Sequence, residues 1–149
     1  MRDSERMSRG IIDTALDAFV QMDENGSIVD WNPQAWAIFG WSREEAIGKP
    51  PWANLIVPEQ HRSQHWDRLA RFLLSGESSM LGKRFAIEAL RRDGSEFKVE
   101  LSVTALQRRA GTVFNGFVRD MTEAIAAEER TRQSQKMEAV GQAGRRHRA

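Results

Sequence analysis

The sequence predicts an α+β domain: a five-stranded antiparallel sheet with short helices on one face and a helix flanking it at either end. Three observations predict it. Two short apolar runs flank Glu24-Asn25-Gly26-Ser27, and Asn-Gly between such runs is a strong hairpin signal because both residues tolerate positive φ. Residues 95–107 alternate Phe97, Val99, Leu101 and Val103 with polar residues, the period of a strand with one buried face. Between these regions, residues 32–75 change to helical spacing punctuated by capping signals.

Taken in order, residues 1–17 form the N-terminal flank, with Ile11, Ile12, Ala15 and Leu16 on one helical face. Residues 18–23 and 27–31 are the hairpin strands. Asn32 caps a helix with Pro33 at its first position, Ala35, Trp36 and Phe39 are its apolar face, and Gly40 ends it. Ser42 and Glu45 are spaced as a capping box, and Gly48 closes that piece. Trp52, Leu55 and Ile56 anchor an irregular stretch. Residues 59–75 are the longest helix of the domain, with Trp66, Leu69, Ala70, Phe72 and Leu73 as its buried stripe. Strands follow at 81–92, 95–107 and 112–120, joined by turns at Asp93-Gly94 and at 108–111. Residues 122–142 are a charged helix whose thin stripe of Met121, Ile125, Met137 and Val140 needs a partner, and 143–149 is a basic tail expected to be disordered.

The chain of 149 residues suffices for one domain, 18–121, with its extensions, and 40% hydrophobic with 29% charged residues suits a soluble globular fold. A net charge of +1 provides no global field toward nucleic acid or membrane. The basic stretches at 91–94, 107–111 and 144–149 come without a groove-reading helix, and two of them are hairpin turns where Arg is a normal solvated choice, so no nucleic-acid partner is expected. The absence of cysteine removes disulfides, thiolate zinc sites, iron–sulfur clusters and cysteinyl–flavin chemistry. No apolar run approaches the roughly 20 residues of a membrane helix and the N-terminus lacks a signal-peptide core, so a cytoplasmic location is expected.

The stretches "DAFVQMDENGSIVDWNPQAWAIFGWSREEAIGK", "RRDGSEFKVELSV" and "GFVRDMTE" resemble a PAS domain over about residues 8–123. The resemblance implies a sensory module in which sheet and short helices enclose a small-molecule pocket and the signal leaves through the last strand into a C-terminal helix. Asp120 and Thr122, in "RDMTE", stand where a cap couples strand end to helix start. "QSQKMEAVGQ" at 133–142 resembles the start of the dimerisation helix of sensor histidine kinases, but the chain departs after Gln142, and His147 lacks the acidic neighbour of a phospho-acceptor. The expectation is a non-enzymatic input domain of a two-component histidine kinase, cut short before the acceptor, homodimeric through its flanking helices. A ligand-free dimerisation module is the alternative from another class.

One stretch, "PEQHRSQHW" at 58–66, resembles the FixL-type oxygen-sensing histidine kinases, through Pro58, Glu59, Arg62, Ser63 and His65. Helical spacing puts His61, His65, Leu69 and Phe72 on one stripe. The resemblance implies haem as a candidate cofactor, with His65 as axial ligand, Arg71 on a propionate, and Leu69, Met80, Phe85, Leu101 and Val103 around the pocket. Phe85 stands where that family has its oxygen-binding Arg, and Ser79 where it has a second propionate-facing residue. The alternative for His65 is a half-buried polar residue bonded to backbone or near Trp66. His61 and His65 alone do not make a zinc site. Flavin in its usual light-sensing form is argued against by the missing cysteine. Most of the five tryptophans are expected to fill core.

Overall fold

The computed structural model describes residues 2–47, 53–75 and 82–147. Helix α1 (Arg2–Thr14) leads into β1 (Ala18–Asp23) and β2 (Ile28–Trp31). Three short helices follow: α2 (Pro33–Phe39), α3 (Arg43–Ala46) and α4 (Ala53–Ile56). A 3-10 turn (Glu59–His61) opens α5 (Arg62–Ser75). The chain then enters β3 (Arg84–Leu90), β4 (Glu96–Arg108) and β5 (Gly111–Asp120), and ends in α6 (Thr122–His147). The five strands make one antiparallel sheet in the order β2-β1-β5-β4-β3, so the last strand pairs centrally with the first. The α+β class and the sheet are as the sequence predicts.

Local chemistry explains the breaks. In the first hairpin, Asp23 Oδ1 accepts the backbone N–H groups of Asn25 and Ser27, each at 2.9 Å, and Gly26 takes φ 76°. Asn32 caps α2 by accepting the N–H of Ala35 at 2.9 Å, and Ser42 and Glu45 complete the capping box on α3. Asn32 does more than cap. Its Oδ1 also accepts from Phe19 N, and its Nδ2 donates to the carbonyls of Ile12 and Asp17, so one buried amide ties α1, β1 and α2 together. A buried amide with several satisfied bonds is costly to replace, because truncation leaves backbone groups unpaired.

The core lies between the inner face of the sheet and α2–α3. Trp31 stacks at a tilt on Phe39 (5.4 Å), and Phe39 meets Phe97 edge-on (5.9 Å). Burying a side chain such as Phe39 contributes about 1.5–3 kcal/mol. The Trp31 indole N–H donates to the Trp41 carbonyl at 2.9 Å.

Several expectations are corrected. α1 ends at Thr14 rather than at 17, and is held by Arg9, which bonds Asp13 on its own helix and Asp30 on β2. Trp36 is 57% exposed; Ile38 takes the inward position, because α2 is only two turns long and its axis presents Ala35, Ile38 and Phe39. On α5, Trp66, Ala70 and Leu73 are exposed, whereas His65, Leu69 and Phe72 turn inward. Apolarity therefore misassigns that face, and the stripe carrying His65 is the inner one. Helix α6 continues through His147, past the expected end at 142. Trp52 and Gly48 lie outside the described residues.

Candidate functional site

A cavity of about 520 Å³ opens between α5 and the inner face of the sheet. Alternation builds its floor. Leu101 pairs with Val118 and Val103 with Gly116, so these side chains share the inner face with Val99 and Phe114, while Glu100, Ser102 and Phe117 point to the other side. Gly116 adds no side chain there, which leaves room over the centre of the sheet. Phe72 meets Phe114 edge-on at 5.0 Å and closes the far end of α5 onto β5. The volume lies within the roughly 300–1,000 Å³ of small-molecule pockets, and the lining is apolar with few polar groups, the usual composition of such sites.

Those polar groups sit together. His61, Gln64, His65 and Arg68 line the cavity from the N-terminal half of α5 and the turn before it, and Leu69 and Phe72 from its C-terminal half. His65 has its Nε2 atom buried and its ring edge-on to Trp66 at 5.8 Å. Burial, and secondarily the nearby Arg68 charge, hold its pKa below the ordinary imidazole value, so it is neutral at pH 7. At the edge of the sheet, His61 Nε2 lies 3.9 Å from Glu88 Oε2, and Glu88 is the register partner of Lys98; both line the cavity. Among the described residues, no group of three or more His, Asp or Glu is placed to hold a metal ion.

Of the sequence-predicted pocket residues, the structure brings His65, Leu69, Leu101 and Val103 onto one cavity. Arg71 does not join them. It is exposed, turned about 100° from Phe72 on the helix, and the cation that lines the cavity is Arg68. Phe85 shares strand parity with Ile87 and Ala89 yet is not among the lining residues. Met80 and Ser79 lie outside the described residues. Sequence reading missed Gln64, Arg68, Phe114 and Gly116. Helical spacing from His65 marks Arg68, and strand pairing of β4 with β5 marks the last two.

The second expected feature is the joint at the end of β5. Asp120 Oδ1 accepts the N–H of Thr122, the first residue of α6, at 2.9 Å. Its other oxygen accepts from Arg91 Nη2 at 2.8 Å, and the same nitrogen lies 3.3 Å from Thr122 Oγ1. Burial would raise the Asp120 carboxyl, but the hydrogen bonds from Thr122 and Arg91 outweigh it and hold the group below its ordinary value. Asp120 is thus the cap, while Thr122 is a side-chain partner of the network. Arg91 is no solvated turn residue. Its Nη1 donates to the Ile38 carbonyl at 2.7 Å, and its guanidinium lies 3.7 Å over the Phe97 ring. Arg91 therefore links α2, the β3–β4 hairpin and the exit helix. Neighbouring Arg92 donates its N–H to the Phe39 carbonyl at 2.8 Å and its side chain to Glu45.

Comparison with known proteins places this geometry. The PAS fold family matches residues 6–121. The chain is 35% identical over 123 residues to Sensor protein FixL of Bradyrhizobium diazoefficiens, covering 83% of this chain and 24% of that protein. It is 24% identical over 137 residues to Oxygen sensor protein DosP of Escherichia coli, covering 89% of this chain and 17% of that protein. The solved PAS domain of a protein from Colwellia psychrerythraea superposes with a TM-score of 0.67 at 23% identity, covering 81% of this chain and 99% of the other. The chain spans less than a quarter of the length of either curated relative. Among the described residues no helix is long and apolar enough to cross a membrane. With a five-stranded antiparallel sheet in the order β2-β1-β5-β4-β3, helices on its inner face and a family match from residue 6 to 121, the chain belongs to the PAS fold family.

Proposed function

We propose that this PAS domain is the sensory input of a signalling protein: it binds a small, mainly apolar ligand between α5 and the sheet and passes the signal through the Arg91–Asp120–Thr122 joint into α6. The observation that carries the reading is the cavity itself. Its floor is the inner face of β5, and β5 runs without interruption to Asp120, so the surface that touches a ligand and the residue that caps the exit helix belong to one strand. The output is a histidine kinase region, by analogy with the resemblance of residues 133–142, and α1 and α6 pair with a second copy. α1 exposes Met7 and Ile11, and α6 exposes Ile125 and Met137, more apolar surface than a solvated helix needs.

Native mass spectrometry of the purified chain tests the ligand. A bound species that is lost in Val103→Trp, a substitution that fills the cavity, supports the reading. Equal mass spectra and equal melting temperatures with and without candidate ligands, in the parent and the filled variant, would leave a ligand-free dimerisation module.

A second reading, haem, is favoured by His65. A neutral imidazole with a buried Nε2, set in an apolar cavity with Arg68 and Lys98 in its lining, fits the group chemically. There His65 would hold the iron, with Arg68 and Lys98 in the same lining as the cations toward its carboxylates. Haem bound there would supply gas binding. Leu101, Val103 and Val118 would exclude water and offer no hydrogen-bond donor to a bound gas. The expected absorption spectrum is that of a colourless protein, unchanged by His65→Ala. A Soret band lost in His65→Ala would replace the first reading by the second.

A further inference from the structure

The outer face of the sheet, turned away from the cavity, carries a pattern that ligand binding does not use. Over the middle of β4 and β5 its side chains are uncharged: Ser102 pairs with Phe117, Thr104 with Asn115 and Leu106 with Val113. A solvated antiparallel face is ordinarily polar. Here Phe117 is 39% exposed and Leu106 47%, although β5 is the central strand of the sheet. At one end of this stretch a row of charges crosses the strands. Asp17, just before β1, bonds Arg119 on β5 at 3.2 Å. Arg119 is the register partner of Glu100 on β4, and Glu100 lies 3.4 Å from Arg84 on β3. These side chains surround one small surface depression with Ser102 and Phe117. Across the strands the signs run minus, plus, minus, plus.

Each charge already has a neighbour of opposite sign within the row, so no group in it stands unpaired. The order of the signs is what selects an occupant. A uniformly basic or acidic partner, nucleic acid included, would meet like charge at every second position. A second copy of the same row, turned end for end, meets opposite charge at every position. Two copies of a sheet packed face to face are related by a two-fold axis lying between them, and aligned packing keeps their strands within about 30°. With that axis along the strands, between β4 and β5, Arg119 faces the partner's Glu100 and Asp17 faces the partner's Arg84. The uncharged stretch then closes on itself, Phe117 against the partner's Ser102 and Leu106 against the partner's Val113. With the axis along the row instead, each charge would face its own copy.

We propose that the outer face of β4 and β5 is a self-complementary interface whose occupant is a second copy in parallel orientation, its direction set by the Asp17–Arg119–Glu100–Arg84 row. The same axis brings both β5 ends, and so both starts of α6, to one end of the pair. The inference rests on the self-association in the reading above, which there involves only α1 and α6, and the experiment separates the two.

Self-association of the full chain is measured by analytical ultracentrifugation. Glu100→Arg and Arg119→Glu, each alone, set like charges face to face twice in the symmetric pair, and each should weaken association at least about tenfold. Mixing the two variants in equal amounts restores opposite charge at both contacts, and should return association to within about threefold of the parent. A purely structural role would not respond to mixing, because mixing repairs nothing within one chain. Asp67→Arg and Arg71→Glu, exposed on α5 across the sheet, reverse the same charges and should gain nothing on mixing. Melting temperature and circular dichroism report folding of each variant. Leu106→Glu, at an exposed position away from the row, should also weaken association, and keeps the test decisive if a charge reversal is unstable. Folded variants that associate like the parent, or weakened ones that mixing does not rescue, would overturn the sheet interface and leave the helix pairing intact. Equal rescue by the α5 pair would reduce the effect to net charge and overturn it too. A parent chain that is monomeric at high concentration would overturn both the interface and the self-association.

Discussion

Asp120→Asn isolates the charge at the exit joint. The substitution keeps an oxygen able to cap Thr122 N, so the 2.9 Å cap survives. What goes is the charge opposite Arg91 at 2.8 Å. The two side chains are 27% and 26% exposed, between a surface pair and a buried one. Surface pairs contribute about 0–1 kcal/mol and hydrogen bonds to charged groups about 1.5–3, so the loss should be about 1–2 kcal/mol. The pH dependence fixes the origin. The Asp120 carboxyl is held below 3.8, so its contribution is present above that value and is lost as pH falls through the folded value. Urea melts of parent and variant at pH 7, repeated downward in pH, should show a gap that shrinks in acid. An Arg91→Gln single variant and the double variant close a thermodynamic cycle. The same free energy is comparable to the 1–3 kcal/mol of a typical coupling between sites. Residues 1–142 grafted onto a kinase catalytic region should therefore lose ligand regulation in Asp120→Ala/Thr122→Ala while remaining folded. No loss at pH 7, or an equal loss at every pH, would refute the ion pair. Normal regulation by the double alanine variant would refute the route through this joint.

Three further outcomes are expected. His65 binds its proton less readily folded than unfolded. As pH falls below 6.5 the unfolded chain takes up a proton that the folded ring refuses, so stability declines until the folded value is reached; His65→Phe should flatten that part of a melting-temperature profile. Phe39→Ala, at the centre of the Trp31–Phe39–Phe97 contact, should cost about 3–5 kcal/mol in a urea melt, with no loss meaning that the core closes over the gap. Removing 124–149 should weaken self-association in analytical ultracentrifugation while the core stays folded; a full chain that is monomeric at high concentration would contradict the helix pairing.

The fold was legible because its breaks are local chemistry. Asp23-Glu24-Asn25-Gly26, Asn32-Pro33 and Ser42–Glu45 each satisfy their own backbone groups, and each lies where the spacing predicts. The inner face of α5 was harder. Two stripes compete there, Trp66–Ala70–Leu73 and His65–Leu69–Phe72, and hydrophobicity favours the one that is exposed. The choice is made by Phe114 across the cavity, a contact far along the chain. Arg91 illustrates the same gap. In a turn-forming "RRDG" it reads as a solvated charge, and only the sheet register, which sets Val99 beside Asp120, brings it to the exit joint. The cavity floor was half visible, since strict alternation along β4 marks Leu101 and Val103, while Gly116 on β5 signals nothing by itself.

A single residue, Met121, separates the last strand from the first residue of α6. Its N–H is tied to the Lys98 carbonyl at 3.0 Å, so the passage from strand to helix has almost no slack. The rotational phase of α6 is therefore inherited from the sheet. One residue inserted between Asp120 and Thr122 would turn every downstream side chain by about 100°, and seven inserted in the helix would nearly restore the original facing. Whatever α6 drives is addressed by angle as well as by distance.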